Sequence, residues 1–326
     1  MPILTILLLS LGLGLPLHVA AQEQVDRRDA SQIADSAAMA GLARDLAADA
    51  TGDSARAAAI YAWVAASIAW DAGNYRPGQA VVESAEDVFR RRIALCGGFV
   101  AIYQRLAREV GLVVQPIEGY AKGFDYVHGQ STKDANHAWL AVSIDGAWRL
   151  VDPTWGSGFV ADGRFVPSFT WSYFLVPAEE LILSHYPDRS RWQLVSQPLG
   201  RRDFERMPTV PRNLFAVGFN AAAVRATALT TGVRDFALVG TQQSAVRVLR
   251  APIAGTVPMN ALVELELVWP GAADVAMVTG GVWTHLSRSG DHFHGAAPAA
   301  AAAIFVVGRS DAGGGEYTTL LHYRVQ

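Results

Sequence analysis

Two stretches in the first half of the chain carry the apolar stripe of an amphipathic helix. The stripes consist of Ile33, Met39, Leu42 and Leu46, and of Ile60, Trp63, Val64 and Ile68. Residues three or four positions apart share one face of a helix, so both stretches are predicted to be helices that pack into a core. Ser84 and Asp87 predict the start of another helix, because each side chain can accept a hydrogen bond from the other's free amide.

The pattern changes from helix to strand after residue 120. From Tyr120 to Trp155 the pattern is that of strands. Beyond residue 213 the chain consists of short β-rich runs punctuated by glycine, namely Val224–Thr230, Ala245–Leu249, Leu262–Val268, Val275–Val278, Ile304–Val307 and Tyr317–Tyr323. This spacing predicts an all-β sandwich of the immunoglobulin-like kind that folds independently.

The beginning of the chain predicts export. Ile3 to Leu17 is a nearly unbroken apolar run, and it ends in Val19-Ala20-Ala21, where a signal peptidase requires small residues. We therefore expect residues 1–21 to be a signal peptide and the protein to be secreted or periplasmic; an uncleaved anchor is the alternative. The single cysteine has no partner within the chain, so the fold has to be held by hydrophobic cores.

The domain limits follow from these patterns. We expect a catalytic domain over residues 22–200, a linker over residues 201–212 and the β-sandwich over residues 213–326. The linker lies in a stretch with Pro198, Pro208 and Pro211, which interrupts both helical and strand periods. In the alternative arrangement, the apolar face of Val263, Leu265 and Leu267 packs directly against the first domain as one unit.

Composition excludes several classes of protein. With 326 residues, a net charge of -3 and no basic run of note, the chain has no field that would attract nucleic acid. No second apolar run reaches membrane-spanning length, so no membrane span is expected in the mature chain. The sequence has no phosphate-binding loop, no zinc-finger spacing and no repeat of solenoid period, and we expect neither metal nor cofactor.

Cys96 begins a helical pattern in which Phe99, Ile102, Leu106 and Val110 share a face. A helix N-terminus stabilises a thiolate through its free amides and its dipole, and an ordinary thiol with a pKa of about 8.5 is only slightly ionised at neutral pH. Gly97 and Gly98 would let a substrate backbone approach the sulfur. The alternative is an inert cysteine packed like a small hydrophobic residue.

His137 and Asp152 can be placed relative to each other by counting from a turn. Asp145-Gly146 predicts a two-residue hairpin, so Ile144 should face Ala147. Continuing outward, His137 would oppose Thr154, and Asp152 would oppose Trp139. His137 and Asp152 then lie diagonally on the same face, where the carboxylate can orient the imidazole toward Cys96. Taken singly, His137 could be a strand histidine bound to a backbone carbonyl, and Asp152 a turn former.

Several motifs resemble the transglutaminase-like superfamily of papain-type folds. They are Val88 to Gly98, Gly119-Tyr120-Ala121-Lys122-Gly123, Asn136-His137-Ala138-Trp139 and Trp148 to Gly156. Tyr173-Phe174-Leu175, Ser184-His185-Tyr186-Pro187 and Trp192-Gln193-Leu194 are similar to its kyphoscoliosis-peptidase branch. The resemblance covers about residues 56 to 208. It implies an α+β papain/transglutaminase-like core, followed by the predicted C-terminal sandwich.

The same resemblance implies roles for the site residues. Cys96 would be the nucleophile, His137 the base and Asp152 the orienting carboxylate, whereas His185 would be structural. Gly97, Tyr120 and Trp155 are candidates for binding substrate, although core packing is an alternative for the two aromatic residues. The Cys96 amide is a natural oxyanion donor, and Trp70 is one candidate for the second.

We therefore expect a secreted cysteine peptidase or amidase that acts on a peptide or protein substrate through a thioester. One alternative is an amine acyltransferase that cross-links proteins with the same triad; the calcium-binding apparatus of animal cross-linking transglutaminases is not recognisable. The other is a non-catalytic scaffold. The C-terminal domain is expected to contact a surface partner.

Overall fold

The computed structural model describes residues 15–76, 82–230, 233–240, 245–310 and 315–326, with side chains from residue 31 onward. Residues 1–14 of the predicted signal peptide lie outside this description, and residues 15–21 form the beginning of a helix. Among the described residues, no helix has both the length and the apolar character needed to cross a membrane.

Among the described residues, four helices begin the N-terminal half. They are α1 (Leu15–Leu46), α2 (Gly52–Ser67), α3 (Ala85–Arg91) and α4 (Cys96–Glu109). The predicted helix start at Ser84 is confirmed, since its hydroxyl accepts a hydrogen bond of 3.1 Å from the Asp87 amide. Met39 of the first predicted stripe is fully buried, but Ile33 is 71% exposed and does not belong to it.

The remaining elements of this half are mostly strands. They are β1 (Ala69–Trp70), β2 (Ile93–Ala94), β3 (Val114–Ala121), β4 (His137–Ile144), β5 (Ala147–Val151), α5 (Pro153–Ser157), β6 (Gly158–Ala161), β7 (Arg164–Pro167), α6 (Ala178–Leu181) and β8 (His185–Pro187), with 3-10 turns at Trp171–Tyr173 and Ser190–Gln193. An antiparallel sheet has the order β5-β4-β3-β8. Helix α4 packs on this sheet through a shared core that contains Phe99, Ile102 and Val142.

The hairpin register is as the sequence predicts. Ile144 pairs with Ala147, and the ladder continues outward to Leu140 and Val151. Asp145 and Gly146 both have positive φ, at 50° and 81°, which a type I′ turn requires. The ladder stops at Val151 because the next amide, that of Asp152, donates to the Tyr173 carbonyl instead. Pro153 has no amide hydrogen, and it begins α5, so Thr154 does not pair with His137.

The second half consists of three helices followed by two sheets. The elements are α7 (Arg201–Arg206), α8 (Asn213–Ala216), α9 (Ala221–Thr230), β9 (Leu238–Val239), β10 (Arg247–Arg250), β11 (Thr256–Val257), β12 (Leu262–Val268), β13 (Asp274–Thr279), β14 (Val282–His285), β15 (Ser287–Ser289), β16 (His292–Pro298), β17 (Ala303–Arg309) and β18 (Thr318–Val325). One sheet has the order β10-β12-β16-β15, and the other β11-β18-β17-β13-β14, with β9 beside β18. Buried residues of both sheets share one core, so this half is strand-rich and layered.

The prediction of a strand at Val224–Thr230 is wrong, since these residues form the end of α9. Asn220 caps this helix by accepting a 3.0 Å hydrogen bond from the Ala223 amide. Alanine, which recurs through the segment, has the highest helix propensity, and this outweighs the β-branched residues on which the strand prediction rested.

Residues 201–212, predicted to be a linker, are structured and packed. Phe204 and Met207 are fully buried in a cluster that also contains Tyr120 of β3 and Leu265 of β12. The buried Lys122 donates hydrogen bonds of 2.6 Å to the Phe204 and Met207 carbonyls, which ties β3 to the end of α7. One hydrophobic core therefore joins the two halves, as in the alternative arrangement of a single packed unit.

Candidate functional site

Cys96 lies in the first turn of α4, directly after the short strand β2. The amides of Gly98 and Phe99 bond back to the Leu95 carbonyl, which leaves the Cys96 and Gly97 amides without a backbone partner among the described residues. These two amides point out of the helix N-terminus, where an anion is favoured. The Cys96 amide is thus available as an oxyanion donor, as expected from the sequence.

Glu83 holds the backbone immediately before Cys96. Its Oε2 accepts a 2.7 Å hydrogen bond from the Leu95 amide, and its side chain is only 8% exposed. No residue pattern singles out Glu83, because it precedes Leu95 by 12 residues and belongs to the loop before α3. The contact is long-range, and only the folded chain reveals it.

His137 stands between the sulfur and the carboxylate. Its Nε2 lies 2.8 Å from Oδ2 of Asp152. Because Nε2 is engaged by Asp152, Nδ1 is the ring nitrogen that remains to interact with the Cys96 side chain. The three residues that the sequence selects therefore meet in the order Cys96, His137, Asp152.

Asp152 is fully buried and accepts four hydrogen bonds. Oδ1 accepts from the Thr154 and Trp155 amides at 2.9 and 3.1 Å, and Oδ2 contacts the Nε2 atoms of His137 and His185 at 2.8 and 3.1 Å. Asp152 is thus both the N-cap of α5 and the partner of the imidazole. A buried carboxylate needs such partners to stay ionised.

The electrostatics favour an ion pair between sulfur and imidazole. Burial by itself would raise the pKa of the Cys96 thiol, but the hydrogen bond and charge of His137 and the Ala138 amide lower that pKa below its ordinary value. Burial would lower the pKa of His137, yet the charge of Asp152 raises it. The same contacts lower the pKa of Asp152 against the opposing effect of its burial. The directions of these shifts favour a thiolate beside an imidazolium.

A cleft of about 870 Å³ opens over the sulfur. Gly97 and Trp155, two of the predicted substrate-binding residues, line it, as does Trp70. Tyr120, the third, is 5% exposed and packs in the core shared by the two halves, so it has no face in the cleft. Tyr120 is therefore reassigned to packing.

Aromatic rings form one wall of this cleft. Trp70, Tyr75 and Phe124 lie with ring centroids 5.0 to 5.8 Å apart. The hydroxyl of Thr154 is buried in the lining without a hydrogen-bond partner among the described residues. The cleft thus offers apolar surface and an unused polar group within reach of Cys96 and His137.

His137, Asp152 and His185 are also spaced as metal ligands would be, with one ligand atom of each within 4.8 Å of the others. Those same atoms are engaged in the hydrogen bonds to Asp152 Oδ2, so hydrogen bonding already accounts for the cluster. We assign no metal to it. His292 and His294, whose spacing in the sequence is also that of metal ligands, lie on β16, where His292 contacts Glu266 at 2.9 Å.

The comparison with protein families agrees with this geometry. Residues 40–153, which include Cys96, His137 and Asp152, match the family model of the transglutaminase-like superfamily. This chain contains a transglutaminase-like domain. The sequence resemblance is thereby confirmed, and with it the mixed α and β character of the catalytic half.

Curated relatives are similar over parts of their length. The kyphoscoliosis peptidase of Mus musculus is 34% identical over 195 residues, which is 59% of this chain and 29% of that protein. Hillarin of Drosophila melanogaster is 30% identical over 135 residues, covering 37% of this chain and 16% of that protein. This chain therefore spans less than a third of the length of either relative.

A solved structure described as a TGase aligns at a TM-score of 0.31, with 19% sequence identity. The alignment covers 46% of this chain and 37% of that chain. A score of this size is too low to support a comparison of the folds.

Proposed function

We propose that this protein is an exported, cysteine-dependent hydrolase of peptide or amide bonds. The observation that carries the proposal is that Cys96 interacts with His137, and that His137 in turn contacts the fully buried Asp152. Similarity to proteins named kyphoscoliosis peptidase supports a peptide or protein substrate.

The chemistry follows from the positions of the protons. In the Cys96–His137 ion pair the thiol proton already lies on the imidazole, at Nδ1, so the thiolate attacks the carbonyl carbon while the Cys96 amide stabilises the oxyanion. The carbon–nitrogen bond then breaks, and His137 returns its proton to the leaving amine. A thioester remains on Cys96. Water, deprotonated by His137, attacks this thioester, which releases the carboxylic acid and restores the thiol.

A primary amine can replace water in the second step, which would make the protein an amine acyltransferase or a protein cross-linker. Hydrolysis would dominate only if amines could not reach the thioester. The cleft is open at Cys96 to both water and amines. The third proposal, a transglutaminase-like scaffold without catalysis, is disfavoured because His137 is hydrogen-bonded to Asp152 and, despite burial, interaction with His137 holds the pKa of the Cys96 thiol below its ordinary value.

Export and the role of the C-terminal half belong to the same proposal. The apolar run at the start of the sequence, with small residues at its end, supports a secreted or periplasmic protein. We further propose that the strand-rich half is an immunoglobulin-like sandwich that contacts a large or surface-bound substrate.

The full-length chain should be incubated with a library of peptides that carry side-chain and backbone amides, with and without cadaverine. We expect mass spectrometry to detect new carboxylic acids in both samples, and none with a Cys96→Ala variant. Products that carry cadaverine in place of the new carboxyl group would identify an acyltransferase. Absence of both products, with an intact fold, would favour the scaffold.

A further inference from the structure

We propose that His185 is a positioning residue of the active site, which holds Asp152 in the orientation and ionised state that His137 requires. The inference deepens the proposed cysteine chemistry and rests on it. The sequence resemblance gave His185 only a structural role, and its position places it directly behind the triad.

His185 begins strand β8, which pairs with β3 at the edge of the catalytic sheet. Its side chain is fully buried, and its ring lies against those of Trp155 and Trp139, with centroids 4.4 and 5.1 Å away. Rotation of the imidazole would displace both indole rings. The direction in which its nitrogens point is therefore fixed by packing.

The hydrogen bonds of His185 define one tautomer. Nε2 lies 3.1 Å from Asp152 Oδ2, and Nδ1 lies 2.8 Å from the Ser184 hydroxyl. An ionised carboxylate only accepts, so Nε2 carries the proton and donates it to Asp152. Nδ1 then accepts from the Ser184 hydroxyl. Burial lowers the pKa of His185, which agrees with a neutral ring.

This donor completes the set of contacts around the carboxylate. Oδ1 receives two backbone amides, and Oδ2 receives His137 and His185. With all four positions used, Asp152 cannot rotate without breaking bonds on both oxygens. Each donor also stabilises the negative charge, and that charge in turn favours the imidazolium form of His137.

His185 does not line the cleft, whereas His137 and Trp155 do. Loss of the His185 donor should therefore weaken the Cys96–His137 ion pair without removing a substrate contact. If His185 served only to fill the core, its replacement would change the stability of the protein and leave the ionisation of the Cys96 thiol unchanged.

The test uses the full-length chain with two replacements at position 185. His185→Leu fills the space without a donor, and His185→Gln retains an N–H group at a similar reach. For His185→Leu we expect kcat to fall by about 10- to 100-fold, as for one lost hydrogen bond to a charged group, with KM nearly unchanged. The pH midpoint for alkylation of Cys96 should rise. His185→Gln should restore most of both properties.

Alkylation reports on the ion pair even in a protein that turns over no substrate, so failure of the hydrolase proposal and failure of this one are distinguishable. Ser184→Ala is a milder variant, because it removes the hydroxyl that bonds Nδ1 and leaves the buried ring of His185 in place. It should raise the pH midpoint of Cys96 alkylation by less than His185→Leu does. The control Ser143→Ala on β4 should leave this midpoint unchanged. If His185→Leu folds and both its alkylation midpoint and its kcat are unchanged, the proposal is overturned. If His185→Leu does not fold, an unchanged alkylation midpoint in Ser184→Ala overturns it.

Discussion

Replacement of Asp152 by asparagine should reduce turnover by on the order of 10⁴-fold while leaving the fold intact. The asparagine oxygen can still accept from the Thr154 and Trp155 amides, as Oδ1 does at 2.9 and 3.1 Å. Its NH₂ group then faces the Nε2 atom of His137, which can accept only if the ring moves its proton to Nδ1. An imidazole protonated at Nδ1 cannot take the proton of Cys96.

The opposite orientation of the asparagine is no better. Its NH₂ group would then meet the two backbone amides that begin α5, and donor would face donor. The matched control is Asp145→Asn in the hairpin turn, where φ is 50° and asparagine is well tolerated. Steady-state kinetics should show normal turnover for this control. Near-normal turnover in folded Asp152→Asn would exclude the orienting role.

A chain that ends near Met207 should aggregate or fail to fold. The sequence pattern alone predicts that this truncation keeps its activity, because residues 201–212 look like a linker. In the structure, Phe204 and Met207 are fully buried in the core that also contains Leu214 and Leu265, and truncation would expose this apolar surface to water. Solubility, circular dichroism and activity on a small amide substrate would measure the effect.

Two point variants separate this packing from the trivial effects of truncation. Leu214→Asp places a charge at a fully buried position between the halves. Calorimetry should then show both halves unfolding together, in one transition at a lower temperature. Leu262→Asp, at a position 65% exposed on β12, should have little effect. Limited proteolysis of the intact chain should spare residues 196–213. A soluble, active truncated protein would show instead that the catalytic half folds alone.

The parts of the site that the sequence predicts are those governed by local rules. The Asp145-Gly146 turn sets the register of β4 and β5, and the register places His137 and Asp152 on one face. The helical pattern after Cys96 places the thiol at an N-terminus. Each inference depends on residues close in sequence, whose spacing fixes geometry directly.

Other parts depend on contacts that no local spacing encodes. His185 reaches Asp152 across 33 residues, and Glu83 reaches Leu95 from a loop. Tyr120 lies on a strand as predicted, yet its ring packs against that of Tyr126 in the cluster that contains Phe204, which makes a candidate cleft residue part of the core. The prolines between residues 198 and 211 interrupt periodicity, yet this segment sends apolar side chains into the core, namely those of Leu199, Phe204, Met207 and Val210.

The most direct test of the account is the pH dependence of Cys96 alkylation by iodoacetamide, followed by intact mass. Cys96 is the only cysteine, so one modification reports on one thiol. Because its pKa is lowered, the thiolate persists as pH falls until that lowered pKa is reached. We expect labelling at about pH 6 to be much faster than that of an ordinary thiol, and His137→Ala to restore an ordinary profile with a midpoint of about 8.5. Slow labelling of the unaltered protein at about pH 6, rising only near the ordinary thiol pKa, would contradict the ion pair and with it the proposed nucleophile.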